Sequence, residues 1–116
     1  MPDALSVAKG SLDLLVLRAL TWGPMHGVMI IAWIEDRSGH ALTLDDASVY
    51  EALYRLEKRR LVTAAWGVTE NSRRARYYTA SSAGLSYLRD ETARRHRYNA
   101  VVADLLALQP PARQSR

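Results

Sequence analysis

The order of segments between residues 43 and 80 is the feature that most constrains the fold. Residues 48–62, SVYEALYRLEKRRLV, place apolar side chains along one face of a helix at a spacing of about 3.6 residues. Two strand-like runs, 61–68 and 75–80, follow at once and are joined by the polar stretch 69–74. We therefore predict a helix that leads directly into a two-stranded hairpin.

Three further segments are predicted helices. Residues 12–20 have the spacing of an amphipathic helix, with Ser11 at the position of an N-cap. After a Gly-Pro break, a second helix is predicted over residues 26–38, with Gly39 as its C-terminal cap. The last helix begins at one of two serines and is expected to span residues 81–108.

Three helices, a hairpin and a long final helix are typical of a winged helix-turn-helix protein. The predicted class is mainly α with a small β-hairpin, that is, α+β, with an additional C-terminal dimerisation helix. We assign residues 1–80 to a DNA-binding domain, 81–109 to the dimerisation helix and 110–116 to a frayed tail that follows two prolines. In this architecture the third helix enters the major groove of DNA.

Composition excludes several classes of function. The chain has no cysteine, and its three histidines are too far apart to form a paired metal site, so we expect no metal or cofactor. It also lacks a phosphate-binding glycine loop and a nucleophile elbow, so we expect no enzyme activity. No export signal or membrane span is visible, which predicts a cytoplasmic protein. The net charge of +4 permits a nucleic-acid partner.

The third helix and the hairpin supply the candidate DNA contacts. Tyrosine and cationic side chains lie on the helix face opposite the apolar stripe, and three arginines lie at the hairpin turn. The alternative for the tyrosines is partial burial against a neighbouring element, and for the arginines a merely solvated turn. Of the remaining aromatic residues, Trp33 and Trp66 are expected in the core, together with either Tyr77 or Tyr78. The predicted DNA-binding residues are Ser48, Tyr50, Glu51, Tyr54, Arg55, Lys58, Arg73, Arg74 and Arg76.

A homodimer is predicted from apolar residues that one small domain cannot bury. The first helix has apolar positions outside its main stripe, and the last helix has an apolar stripe near its end. A second copy would cover both surfaces. The predicted interface residues are Leu14, Leu17, Tyr98, Val101, Val102, Leu105 and Leu108.

The quoted segments resemble one known family. GSLDLLVLRAL with GPMHG, then SVYEALYRLEKRRLV, then RRARYYTASSAG, are similar to the PadR family of bacterial transcriptional regulators over about residues 9–90. The resemblance implies a dimeric repressor whose C-terminal helix pairs with its partner. The two-fold symmetry of such a dimer predicts a palindromic operator in double-stranded DNA.

Three positions depart from the family pattern. Val28 stands where the family often has tyrosine, Glu51 where proline is common, and Arg60 where glycine usually precedes the first strand. Arg60 must adopt an uncommon left-handed conformation, or the helix ends differently. Glu51 places a carboxylate near the expected groove, where it can read a cytosine amino group or weaken DNA binding. The alternative function is therefore a winged-helix module for protein–protein contact. The operator and any small-molecule effector stay unknown.

Overall fold

The computed structural model describes residues 3–112, so residues 113–116 of the predicted tail lie outside the described part. No helix within the described part is long and apolar enough to cross a lipid bilayer. The element order confirms the predicted class, α+β with one hairpin. The elements are β1 (Leu5–Ser6), α1 (Lys9–Leu20), α2 (Gly27–Arg37), β2 (Leu42–Thr43), α3 (Asp46–Lys58), β3 (Val62–Val68), β4 (Arg74–Ala80) and α4 (Ser82–Ala107).

The core lies where α1 packs against α2, α3 and α4. Val16 and Leu17 of α1, Ile30 of α2, and Leu53 and Leu56 of α3 are wholly enclosed there. Helix α1 is therefore the central element, since it contributes apolar side chains toward three neighbours. This position explains why its sequence is apolar on more than one face.

Helix α1 begins earlier than predicted. It starts at Lys9, with Ala8 as its N-cap, and the backbone N–H of Ser11 donates to the carbonyl of Ala8. Ser11 is therefore inside the helix, and its prediction as the N-cap is wrong. The apolar pattern begins only at Leu12 and so carries no signal for the first turn.

Helices α2 and α3 end in the same backbone arrangement. Gly39, at φ 62°, donates to the carbonyl of Asp36, and the N–H of the next residue returns to the carbonyl of Glu35. Arg60, at φ 60°, donates to Glu57, and the N–H of Leu61 returns to Leu56 in the same way. Both ends are Schellman motifs with a left-handed residue. The uncommon conformation considered for Arg60 is thus confirmed.

Strands β3 and β4 form the antiparallel hairpin, which we call the wing. Its register sets Ala64 opposite Tyr78 and Trp66 opposite Arg76. Residues directly opposite share a sheet face, so these four side chains project from the same side of the wing. Tyr78 is buried, which confirms that one of the two adjacent tyrosines is in the core. The prediction for Trp66 is wrong, because its side chain is 62% exposed.

A short segment before α2 fixes the wing to the body. Met25 and Tyr78 exchange backbone hydrogen bonds of 3.1 and 2.8 Å, so Met25 lies beside β4 as a third partner. Elsewhere, β1 pairs in parallel with β2 over two residues. That pair was not predicted, since a two-residue strand carries no periodic signal.

Helix α4 starts in the core and leaves it. The Ser81 hydroxyl caps it by accepting the N–H of Gly84 at 3.0 Å, and Leu88 is buried. The apolar residues of its last part, including Tyr98, Val101 and Leu105, are exposed in the single chain. The helix therefore has two parts, one that completes the core and one that extends beyond it.

Candidate nucleic-acid interface

The side of α3 opposite the core carries the predicted aromatic and charged residues together. Tyr50, Glu51, Tyr54 and Lys58 are all exposed, and we call them the outward face of α3. Val49, Ala52, Leu53 and Leu56 are buried on the opposite side of the same helix. Since the buried side fixes α3 to α1 and α2, the outward face is presented on a rigid mount.

Tyr50 is held against the start of α2. A Cβ atom at Gly27 would lie 2.5 Å from the ring carbon Cζ of Tyr50, so the absence of a side chain at Gly27 makes room for the ring. Tyr50 remains 47% exposed. Tyr50 is therefore partly buried against a neighbouring helix, as the alternative prediction had it. It is also still accessible at the surface.

Tyr54 and Lys58 lie one helical turn apart and interact. The Lys58 ammonium is 5.2 Å from the centre of the Tyr54 ring, which is within cation–π range. Tyr54 is 63% exposed and is the most accessible aromatic residue on this helix. Glu51 is exposed at the edge of the same face, so the outward face includes one carboxylate.

The two other predicted residues of α3 lie on its flank. Ser48 is half-buried, and its hydroxyl donates to a carboxylate oxygen of Asp45 at 3.0 Å. Arg55 donates through Nη2 to Oδ1 of Asp13 on α1 at 2.8 Å. Asp45 is the N-cap residue, yet its side chain makes no capping hydrogen bond.

The wing arginines are held in different ways. The guanidinium carbon of Arg74 lies 4.7 Å from the centre of the Trp66 ring, and Arg76 donates to Oε2 of Glu57 at 2.8 Å. Both side chains lie on the same sheet face as Tyr78. The sequence placed the three arginines on or beside the polar turn. Arg74 and Arg76 belong to β4, and each has a defined partner.

The wing, the start of α2 and α3 enclose a cleft of about 510 Å³. Arginines and aromatic rings share its walls, because the sheet register turns Arg74, Arg76 and Trp66 toward it. Tyr50 closes the side formed by α3. The cleft thus brings Tyr50 of the third helix and the predicted arginines of the wing into one surface.

Two ionisable groups in the cleft have shifted pKa values. Burial raises the pKa of Tyr78 above its ordinary value of about 10, so the phenol is neutral over the physiological range. The hydrogen bond that Arg76 donates to the Glu57 carboxylate raises the pKa of Arg76, which keeps the guanidinium charged. The cleft therefore holds a charged guanidinium, paired with Glu57, beside a neutral hydroxyl.

The predicted dimer surface is only partly available. Leu17 is wholly buried in the core of its own chain, so its assignment to the interface is wrong. Its side chain lies under the start of α4, where a Cβ at Gly84 would come within 3.4 Å of its Cδ2. The second apolar side of α1 is thus covered by α4 of the same chain.

The other predicted dimer residues lie at or beyond the end of that covered region. Leu14 and Tyr98 line one pocket of about 250 Å³ between α1 and α4. Val101, Leu105 and Leu108 are exposed. Val102 is half-buried. The exposed residues form a stripe on the projecting half of α4. Leu14 lies on α1, near the point where that half leaves the body of the protein.

Sequence reasoning missed the acidic partners and the small residues that shape this surface. Asp13 and Glu57 bind the two flanking arginines, and Gly27 admits the Tyr50 ring. Asp13 had a possible signal, because it interrupts the apolar run of α1. No local pattern identifies its partner, which is 42 residues away in the chain.

The sequence and the fold both resemble those of known transcriptional regulators. The model of the transcriptional regulator PadR-like family matches residues 16–90. A PadR family transcriptional regulator from Eggerthella lenta is 28% identical, has a TM-score of 0.76, and is matched over 87% of this chain and 86% of its own. A transcriptional regulator from Clostridium thermocellum also has a TM-score of 0.76, at 23% identity over 83% of this chain and 90% of its own. That likeness shows the fold alone.

A longer relative comes from a mobile element. A 37.1 kDa protein in transposon TN4556 of Streptomyces fradiae is 42% identical over 79 residues, which are 68% of this chain and 21% of that protein. The family match covers the helix-turn-helix, the wing and the start of α4, and the solved structures share the fold. The chain belongs to the PadR-like family of transcriptional regulators and is a DNA-binding regulator, not an enzyme.

Proposed function

We propose that the chain is a homodimeric, sequence-specific repressor that inserts α3 into the major groove. The observation that carries the proposal is the outward face of α3, where two tyrosines and a lysine are exposed on a helix fixed by the core. A helix held in this way can place side chains against base edges with the accuracy that sequence readout requires.

In this proposal the wing contacts the sugar–phosphate backbone. Arg73 and Arg74 are exposed at its turn, and Arg74 is held against Trp66. Phosphates are the same at every site, so contacts of this kind supply orientation and affinity without sequence information. Ser48, Arg55 and Arg76 would contribute once DNA replaces their present partners. Glu51 would accept a hydrogen bond from a cytosine amino group.

The dimer would form through α4. The exposed stripe that includes Tyr98, Val101 and Leu105 needs a cover, and a second copy supplies an identical stripe. Residues 81–109 would then form the dimerisation helix and residues 1–80 the DNA-binding domain. A two-fold axis places two α3 helices about 34 Å apart, which calls for a palindromic operator. Such a dimer in the cytoplasm would repress by covering a promoter.

The proposal is tested by binding to DNA from the region upstream of the chain's own gene. We expect a gel shift whose affinity falls steeply as salt rises, because phosphate contacts release counterions. We also expect a shuffled duplex of the same length to bind more weakly. Footprinting should reveal two inverted half-sites, whereas one asymmetric half-site would contradict the dimer.

A second candidate function is a winged-helix module for protein contact. It is favoured by Glu51 within the outward face and by the carboxylates that pair with Arg55 and Arg76. Failure to bind either duplex, even at low salt, would support this candidate and exclude the repressor.

A further inference from the structure

The arginines around the outward face differ in what they contact in the free protein. Arg55 is paired with Asp13 and Arg76 with Glu57, each with an N–O distance of 2.8 Å. Within residues 3–112, neither Arg73 nor Arg74 pairs with a carboxylate. Part of the positive charge beside α3 is therefore already neutralised, while the charge at the wing turn is available.

The Arg55–Asp13 pair joins two helices. Asp13 belongs to α1, which is fixed by the core on both sides of it through Leu12 and Val16. Its side chain is only 19% exposed, whereas that of Arg55 is 45% exposed. The carboxylate is thus a fixed acceptor, and the guanidinium is the partner that can exchange it for another. This differs from the Arg76–Glu57 pair, where both groups are similarly exposed and the bond ties the wing to α3.

We propose that Asp13 is a specificity-determining residue for DNA, acting through Arg55. This inference rests on the proposed function. An unpaired arginine on the flank of α3 would gain a phosphate contact on any duplex and would raise affinity without regard to sequence. Asp13 removes that gain, since Arg55 must leave a carboxylate before it can contact DNA.

The exchange is favourable only where α3 is fully seated. On a matching sequence the outward face brings Arg55 close to the DNA, and a phosphate or base acceptor can replace Asp13 at short range. On a mismatched sequence α3 remains farther from the DNA, and Arg55 stays paired with Asp13. The pair therefore weakens binding to random DNA more than binding to the operator, which is a form of discrimination against wrong partners.

The test measures binding of wild type and Asp13→Asn to two probes, a duplex that the protein itself enriches from a randomised pool and a shuffled duplex of the same composition. Asparagine keeps the shape and removes the charge. We expect the affinity for the shuffled duplex to rise about two- to fivefold, the range of an exposed ion pair. Its salt dependence should steepen by about one unit of slope, because one further phosphate is neutralised. The enriched duplex should change less.

Two further variants separate the pair from a general charge effect. In the Arg55→Gln background, Asp13→Asn should lose its specific effect, because the partner is absent. Glu70→Gln removes one negative charge at the wing turn, where Glu70 is exposed and forms no ion pair within the described residues. We expect Glu70→Gln to raise the affinity for the shuffled duplex less than Asp13→Asn does. This smaller effect should be the same in the Arg55→Gln background.

Several results would overturn the inference. Weaker binding of Asp13→Asn to both duplexes would mean that Asp13 positions Arg55 for DNA. An effect equal to that of Glu70→Gln would mean that Asp13 acts only through its negative charge and not through Arg55. Either result would leave the proposed function intact. Absence of DNA binding by the wild type would overturn the proposed function, and the role of Asp13 with it. Urea unfolding of each variant checks that the fold is retained.

Discussion

Gly84 places the backbone of α4 close to Leu61, the residue before β3. A Cβ atom there would lie 2.0 Å from the carbonyl oxygen of Leu61, which is a backbone atom and cannot rotate away. Gly84 is therefore required by packing, although glycine inside a helix is otherwise unfavourable.

We expect Gly84→Ala to destabilise the protein by about 1–3 kcal/mol, the range of an overpacked site. Gly10→Ala is the matched control, because Gly10 is also helical and the nearest atom to an added Cβ, the Nη2 of Arg95, would lie 3.4 Å away. The control should be neutral or stabilising by up to about 1 kcal/mol. Urea unfolding measures both, and equal effects would refute the close approach.

Tyr78 makes stability depend on pH at the alkaline end. Burial raises its pKa in the folded state above the ordinary value of about 10. Below pH 10 both states hold the phenolic proton. Between the ordinary and the raised pKa only the folded state holds it, so unfolding releases a proton and stability falls as pH rises.

We expect the free energy of unfolding to fall above about pH 10 and to fall less steeply in Tyr78→Phe, which keeps the ring and lacks the ionisable group. Denaturant titrations at a series of alkaline pH values measure the difference between the two proteins. Identical pH profiles for both would show that Tyr78 titrates as it does in water.

At the scale of elements, the two Schellman ends of α2 and α3 offer a direct comparison. One uses Gly39 and the other Arg60, at φ values of 62° and 60°. A left-handed conformation costs an L-residue with a side chain about 1–2 kcal/mol, whereas glycine adopts it freely. The same pair of hydrogen bonds is therefore formed around two residues with unequal cost in this conformation.

We expect Arg60→Gly to stabilise the protein by up to about 1 kcal/mol, after allowance for the greater freedom of glycine in the unfolded chain. The reciprocal change, Gly39→Arg, should destabilise it by a similar amount. Thermal or urea unfolding gives both values. A loss of stability in Arg60→Gly would show that the Arg60 side chain makes a contact that outweighs its backbone strain.

The sequence predicts the positions of the helices and strands well. It predicts which individual side chains are buried or exposed less well. The hairpin, the last helix and the apolar side of α3 follow from periodic patterns, because burial acts on every turn or on alternate residues. Trp66 was misplaced because Val62, Ala64 and Trp66 share a strand face on which exposure increases along the wing. No pattern states where a hairpin leaves the body of the protein.

The candidate site shows the same division. Tyr50, Tyr54 and Lys58 could be placed on one face from helical spacing alone. The partners of Arg55 and Arg76 could not, because Asp13 and Glu57 meet them only after the chain has folded. Leu17 was misassigned for a related reason, since α4 of the same chain covers it. Long-range packing decides these residues, and local sequence does not encode it.

At the scale of the whole molecule, the projecting half of α4 is the part that one chain leaves uncovered. Val101 and Leu105 are exposed there, and Tyr98 lies in line with them one turn earlier. A surface of this kind is unfavourable in water unless another molecule covers it. The proposed dimer supplies that cover.

We expect Val101→Asp to give a folded monomer, because it places a charge in the proposed interface without touching the core. Ala100→Asp is the matched control, since it adds the same charge to the same helix at a position about 100° around the axis from Val101, and it should leave the dimer intact. Sedimentation measures the mass of each. A wild-type protein that sediments as a stable monomer at micromolar concentration would refute the dimer.

The central claim is that the outward face of α3 reads sequence while the wing supplies general affinity. The most direct test compares Tyr54→Ala and Arg74→Ala on the enriched and the shuffled duplex at two salt concentrations. We expect Tyr54→Ala to cost about 1–3 kcal/mol on the enriched duplex and much less on the shuffled one. Arg74→Ala should weaken both and flatten the salt dependence by about one unit. Loss of specificity in Arg74→Ala, with only general weakening in Tyr54→Ala, would contradict the claim and move base reading to the wing.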